Sequence, residues 1–179
     1  VRIARGQEKK HNSMLIHVTR YRTWQNHIKE LVEVLFRYYK AEIEANDTQF
    51  IESMRDLYLN DFIPTTLDVL NVKEELNDTI IVEHAWDEIQ PLLWNAVQKI
   101  EVMSINGSSA DALTYEDNKE KGISVIAIGG DKLSRGLTLE GLSISYFLRA
   151  SKMYDTLMQM GRWFGYRPGY IDLCRLFTS

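Results

Sequence analysis

Short apolar runs alternate with helical periods along much of the chain. Residues 14–18 (MLIHV) are rich in strand-forming side chains, which predicts a buried parallel strand. Apolar residues then recur at three- and four-residue steps from Trp24 to Phe36, which is one face of a helix, and Thr23 is a candidate N-cap. This part of the chain therefore predicts a strand, a tight loop and a helix, half of a βαβ unit.

Later segments repeat the same alternation. Residues 100–105, 123–128, 142–148 and 170–177 each have the length and composition of a strand, and 154–160 have a helical pattern. The second of these strands, ISVIAI, is the most apolar run in the chain and is expected to be a central parallel strand. Strands that alternate with helices predict an α/β fold built on a parallel sheet.

Residues 46–99 have a different pattern and predict a helical insertion into that fold. One amphipathic helix is expected to start near Asn46 or Asp47, and Pro64 interrupts its pattern. A second helical stretch follows, which Pro91 is expected to begin or kink. We expect the insertion to lie on one face or edge of the sheet.

The composition excludes several classes of protein. Hydrophobic residues make up 45% of the 179 residues and charged residues 26%, a globular profile, and no apolar run is long enough to cross a bilayer. The single cysteine, Cys174, cannot form an internal disulfide and fits a reducing cytoplasm. Val1 and Ser179 are interpreted as boundaries of a domain within a longer protein.

The distribution of charge changes the picture that the net charge of −4 gives. Residues 1–40 have a balance of +6, residues 41–120 a balance of −14 and residues 121–179 a balance of +4. Basic ends on either side of an acidic middle segment indicate that the two ends form a local anion-binding surface. The alternative explanation of the asymmetry is that the acidic segment is simply a solvated helical surface.

Two segments have the composition of a phosphate-binding site. Gly129, Gly130 and Gly136 follow the ISVIAI strand and would let the backbone approach a ligand, while Lys132 and Arg135 supply positive charge. The alternative is a tight turn that needs glycine.

The second segment is residues 159–167 (QMGRWFGYR), which places Arg162 and Arg167 around aromatic side chains. ATPases use arginines on a rigid element to stabilise charge on a transferring phosphoryl group. Core aromatics with two salt-bridged arginines are an equally acceptable explanation of this segment alone.

In combination these segments resemble motifs IV, V and VI of superfamily 2 helicases. MLIHVTR, then ISVIAI with GGDKLSRGLTLEGL, then QMGRWFGYR occur in that order. The amino-acid sequence of residues 129–170 is more similar to the Z1 domain family, which occurs in endonuclease and helicase-like proteins linked to bacterial restriction or phage defence. Residues 46–99 match nothing in a standard helicase lobe.

The resemblance implies the second RecA-like lobe of a helicase-type ATPase, with an ATP and magnesium site held mainly by a first lobe outside this sequence. It implies catalytic roles for Arg162 and Arg167. It also implies residues that bind the nucleotide and residues that bind a nucleic acid, which is expected to be DNA. The implied nucleotide-binding residues are Arg135, Gly136, Thr138 and Gln159, and the implied nucleic-acid-binding residues are Thr19, Arg20, Gly129 and Gly130.

The sequence also departs from the helicase pattern. It contains neither a G-x-x-x-x-G-K-[ST] loop nor an Asp-Glu pair after an apolar strand, so the chain alone is expected to be inactive. Thr138 stands where an acidic residue is usual, and Gly130 where a threonine is usual. Gln159 lies one residue closer to Arg162 than the pattern has it, and Arg167 two residues farther away, so either arginine is a candidate for the finger.

Two other functions remain open. A degenerate lobe could bind DNA or a partner protein without driven motion. A nuclease site could use Asp131, Glu140 and Asp155 with Lys132, although solvated or ion-paired carboxylates explain these residues more simply.

The four histidines lack metal-ligand spacing, and His17, inside a predicted strand, is expected to be packed or turned to solvent rather than catalytic. Thr19 and Arg20 could equally form a helix-entry loop.

Overall fold

A computed structural model shows an α/β chain with a five-stranded, all-parallel sheet. The structure describes residues 1–19, 21–72, 78–105, 117–130, 139–148 and 168–178. The chain divides into two compact units. The sheet unit consists of Lys9–Val34, Ile100–Gly165 and Cys174–Ser179, and the helical unit of Val1–Glu8, Leu35–Lys99 and Tyr166–Leu173.

The sheet contains the strands that the apolar runs predict. The strands are β1 Asn12–His17, β2 Ile100–Ile105, β3 Ser124–Gly129, β4 Leu142–Phe147 and β5 Arg175–Thr178. Their order is β2-β3-β1-β4-β5, which confirms a parallel sheet and places β3, the most apolar strand, in its interior between β2 and β1. The hydrophobicity of β3 reports its burial and does not fix the order of the strands, in which β1 takes the middle position.

An apolar core explains why these strands form. Leu15, Val125, Ala127 and Leu142 are almost fully buried in one cluster, which Leu139 joins from the segment before β4. A second constraint acts at the start of β4. Gly141 has φ +69°, and a Cβ there would overlap the backbone carbonyl of His11, so the turn into the strand requires glycine.

The last strand is shorter than the apolar pattern predicts. Residues 171–173 form a 3₁₀ turn, and only Arg175–Thr178 pair with β4. Tyr170 and Leu173 are buried, so the apolar pattern there marks packing rather than strand pairing. The predicted helix at 154–160 lies outside the described residues.

Helix α1, Arg22–Glu44, begins one residue before its predicted N-cap, which places Thr23 inside the first turn. Its apolar side chains do not form one buried face. Trp24 and Leu31 are more than half exposed, whereas the amide side chain of Gln25 is buried. The apolar period therefore identifies the helix correctly but not the side that is covered.

The middle of the chain is helical, as predicted. Asp47 caps α2, Thr48–Leu57, by accepting a hydrogen bond from the Phe50 N–H. Pro64 does not end this stretch, because a π-helical turn, Tyr58–Phe62, leads directly into α3, Ile63–Asn71. Pro64 follows the π-helical turn closely, so the irregular turn lies where the proline removes a backbone N–H from a continuous helical stretch.

The second predicted helical stretch is also present and is interrupted at the predicted proline. α4, Trp86–Ile89, is followed by a 3₁₀ turn, Gln90–Leu92, and by α5, Leu93–Val97. Pro91 lies inside that 3₁₀ turn, which confirms that it distorts the helix.

Candidate functional site

The carboxyl ends of all five strands lie in one row. Gly129 pairs with Ile105 on one side and with His17 on the other, and His17 pairs in turn with Phe147, which pairs with Thr178. Loops that follow parallel strands therefore start from one edge, the position at which open α/β sheets bind their ligands. We call this row the carboxyl edge.

Three of the sequence-predicted residues lie at the carboxyl edge. The Val18 N–H donates to the Gly129 carbonyl at 2.8 Å, which brings the loop of Thr19 beside Gly129 and Gly130. Both glycines are buried, whereas Thr19 is half-buried. Of these three residues, Thr19 is therefore the one that is partly exposed to solvent.

Thr19 also has the helix-entry role that the sequence left open. Its Oγ1 accepts the Tyr21 N–H at 3.3 Å, immediately before α1 begins. Because this contact uses an acceptor lone pair, the hydroxyl hydrogen can still donate to a phosphate oxygen. The two roles are compatible.

Gln25 is a polar residue at the same loop that sequence reasoning missed. Its Nε2 donates to the Thr19 carbonyl at 2.8 Å and thereby fixes the loop. Its Oε1 is buried and has no hydrogen-bond partner in the part of the chain that the structure describes. The only sequence signal was a glutamine inside an otherwise apolar helical period.

His17 is packed, as expected. It is buried at the end of β1, and its ring stacks on Phe147 with centroids 4.5 Å apart and planes 5° from parallel. The imidazole therefore forms part of the packing beneath the carboxyl edge.

Most of the other predicted site residues lie outside the described residues. They are Arg20, Asp131, Lys132, Arg135, Gly136, Thr138, Asp155, Gln159, Arg162 and Arg167. The structure nevertheless describes the residue that precedes two of these segments. Gly130 precedes residues 131–138. Leu148, whose N–H donates to the His17 carbonyl at 3.1 Å, precedes residues 149–167.

Glu140, a candidate for a nuclease site, lies at the opposite edge of the sheet. Its carbonyl accepts the hydroxyl of Ser13 at 2.8 Å, near the start of β1. Gly130, which precedes Asp131 in the sequence, lies at the carboxyl edge, and Asp131 and Asp155 lie outside the described residues. The backbone at Glu140 is thus separated from Gly130 by the length of the strands.

The helical unit contains a buried ion pair that no sequence pattern predicted. The Arg5 guanidinium binds both carboxylate oxygens of Asp172, each at 2.7 Å, and the two side chains are 1% and 0% exposed. Its remaining N–H groups bond to the carbonyls of Val82 and Gly169. All five donors of the guanidinium are therefore used.

Further side chains complete this cluster. Thr66 donates its hydroxyl to Asp172 Oδ2 at 2.6 Å, and Asp78 accepts the Gly169 N–H at 2.7 Å. We call Arg5, Thr66, Asp78 and Asp172 the buried polar cluster. Its members are up to 167 residues apart in the sequence, so no local spacing could have revealed it.

None of the described residues belongs to a group of three or more His, Cys, Asp or Glu side chains that could hold a metal ion. Within the same ranges, every helix is too short or too polar to cross a membrane.

A family model for the Z1 domain matches residues 1–179. The chain therefore belongs to the Z1 domain family. No curated protein and no solved structure gives a significant match.

Proposed function

We propose that this chain is the second RecA-like lobe of a helicase-type ATPase, and that it contributes arginines and nucleic-acid contacts to an ATP site shared with a first lobe. The observation that carries the proposal is the common row of strand ends. The Thr19 loop, the glycines at 129 and 130, and the segments that lead to Arg135, Arg162 and Arg167 all continue from this edge.

The arrangement supports a division of labour between two lobes. Magnesium would be held by the triphosphate and by the first lobe. Bound ATP supplies the phosphoryl group and its developing negative charge. This chain's arginines would stabilise that charge, and the backbone near Gly136 would line the crevice.

The nucleic acid would meet the carboxyl edge at the Thr19 loop. The Thr19 hydroxyl and the adjacent Arg20 are suitable donors to a backbone phosphate, and contacts of this kind carry no sequence preference. The basic balance of residues 1–40 favours the same partner. Closure on ATP and opening after hydrolysis would then drive translocation or remodelling, in keeping with restriction or phage defence.

The full-length protein that contains this chain allows a direct test. Steady-state ATP turnover should be measured for Arg162→Ala and Arg167→Ala, with and without DNA or RNA. Loss of the finger arginine should lower kcat by about 10³-fold or more while ATP affinity survives. Arg55→Ala, on the exposed surface of α2, is the matched control and should retain normal turnover.

Unchanged turnover in both arginine variants would contradict the proposal. Salt-sensitive DNA binding without nucleic-acid-stimulated ATPase would instead support the non-motor binding module.

A further inference from the structure

The start of α1 exposes two large aromatic side chains. Tyr21 is 58% exposed and Trp24 is 59% exposed, although side chains of this size usually bury most of their surface in a core or an interface. The Gln25 N–H donates to the Tyr21 carbonyl at 3.2 Å, so the helical hydrogen bonds begin at Tyr21. Residues three apart on a helix have Cβ atoms about 5–6 Å apart, so Tyr21 and Trp24 are neighbours on one side of α1.

His27 extends the exposed aromatic residues by one more turn. Its side chain is exposed, and its ring lies edge to face with the Trp24 indole, with centroids 6.2 Å apart. We call Tyr21, Trp24 and His27 the aromatic surface. All three residues belong to the sheet unit and follow the Thr19 loop directly in the sequence.

The stretch of chain that contains the aromatic surface has no acidic residue. From Lys9 to Lys29 the sequence contains five Lys or Arg and neither Asp nor Glu. Charged residues, lysine among them, are depleted at the core of protein–protein interfaces. Basic residues interleaved with exposed aromatic rings instead suit a polyanion that also has flat apolar groups, which is the chemistry of a nucleic acid.

Thr19 supplies a phosphate donor at the start of this stretch. Its Oγ1 accepts the Tyr21 N–H at 3.3 Å, which holds the hydroxyl beside the first aromatic residue. The buried side chain of Gln25 donates to the Thr19 carbonyl at 2.8 Å and fixes the backbone of the same loop. A donor for the backbone phosphate and rings for the bases are therefore held together within residues 19–27.

We infer that the aromatic surface stacks the unpaired bases of a single-stranded nucleic acid whose phosphates contact the Thr19 loop. This site deepens the proposed function and rests on its nucleic-acid contact rather than on its arginines. Stacking needs a free base face, which a duplex keeps inside its own stack, so the substrate class is a single strand. Every base has such a face, and little sequence preference is expected.

Fluorescence anisotropy with the full-length protein tests the site. One probe is a labelled oligothymidylate of about 20 nucleotides, longer than one such binding site, and the other is the same strand paired with oligodeoxyadenylate. We expect Trp24→Ala to weaken binding of the single strand by about fivefold to a hundredfold and to leave duplex binding unchanged. Trp24→Phe keeps an aromatic ring and should retain most of the affinity.

Two substitutions are matched controls. Trp94→Ala removes another exposed tryptophan, in the helical unit, and Leu31→Ala removes a comparably exposed apolar side chain farther along α1. Both variants should bind the single strand as wild type does. Because stacking releases no counterions, Trp24→Ala should also keep the wild-type slope of log affinity against log salt concentration, whereas loss of a phosphate contact would reduce that slope.

The outcomes separate the stacking site from the proposed ATPase. A selective loss of single-strand affinity in Trp24→Ala, restored by Trp24→Phe, supports the site. Unchanged affinity in Trp24→Ala, or an equal loss for strand and duplex, overturns it and leaves the aromatic surface to a protein partner. A wild-type protein that binds neither probe overturns the site together with the proposed nucleic-acid contact. Full turnover in Arg162→Ala and Arg167→Ala contradicts the ATPase role alone.

Discussion

Both units bury apolar side chains, but the described part of the helical unit also buries charged ones. In the sheet unit, the residues with the least exposure are largely aliphatic, such as Leu15, Val125 and Ile128. In the helical unit an arginine and two aspartates lie as deep, each with several hydrogen bonds. An apolar core tolerates many sequences of similar volume, whereas a polar cluster specifies one arrangement of its partners. The contrast indicates that the helical unit is built for a fixed geometry around residues 168–172.

The largest effect is expected from Arg5→Ala. It would leave the Asp172 carboxylate and several carbonyls buried without their donor, at a cost of about 3–5 kcal/mol in the free energy of unfolding. Lys99→Ala is the control, because Lys99 forms an exposed pair with Glu8 at 2.7 Å and should cost less than about 1 kcal/mol. Urea denaturation of both variants measures the difference. Equal losses of unfolding free energy in the two variants would show that the buried ion pair contributes no more to stability than the exposed pair.

In the sheet unit, Leu15→Ala should be nearly as damaging. Leu15 is 1% exposed, and a cavity at this site is expected to cost about 2–5 kcal/mol. Leu31→Ala removes the same atoms from a side chain that is 57% exposed and should change the free energy of unfolding by less than about 0.5 kcal/mol. Thermal unfolding compares the two, and a Leu31 variant as unstable as the Leu15 variant would show that α1 is covered.

Thr66→Val tests how finely the buried polar cluster is balanced. Valine keeps the shape but removes the hydroxyl that donates to Asp172 Oδ2, a bond to a charged acceptor. We expect a loss of about 1.5–3 kcal/mol, measured by the midpoint of urea denaturation. A neutral or stabilising substitution would mean that Arg5 alone satisfies the carboxylate.

The smallest effect is expected at Tyr58, whose hydroxyl donates to the His84 carbonyl at 2.8 Å. Tyr58→Phe should cost about 1 kcal/mol at neutral pH. Burial raises the pKa of the Tyr58 phenol above its ordinary value. A raised pKa in the folded state means that the contribution is complete below the unfolded-state pKa and is lost as the pH rises through the folded-state pKa. The gap between wild type and Tyr58→Phe should therefore narrow in alkaline solution, and a gap that widens would contradict this account.

How far the sequence predicts the structure differs between the units for a physical reason. Strands such as β2 and β3 are local apolar runs, so their signal is complete within six residues. The cap at Asp47 is equally local. The order of the strands is not local, so no signal within β1 itself gives that strand its middle position.

The buried polar cluster could not have been predicted from the sequence. Arg5 and Asp172 have unremarkable neighbours and meet only through the tertiary fold, 167 residues apart. At the carboxyl edge the sequence correctly placed Thr19 and Gly129 at the ends of strands, because parallel strands put their ends at one edge. Gln25 was missed, since a buried glutamine within an apolar helical period has no pattern of its own.

Arginines of this chain are proposed to act on a triphosphate held largely by a first lobe. Single-turnover hydrolysis by full-length protein preloaded with ATP tests this proposal most directly, because it isolates the chemical step from binding and release. We predict that the double variant Arg162→Ala, Arg167→Ala binds ATP with nearly unchanged affinity and hydrolyses it at least about 10³-fold more slowly than wild type. Hydrolysis of the bound nucleotide at the wild-type rate would contradict the account.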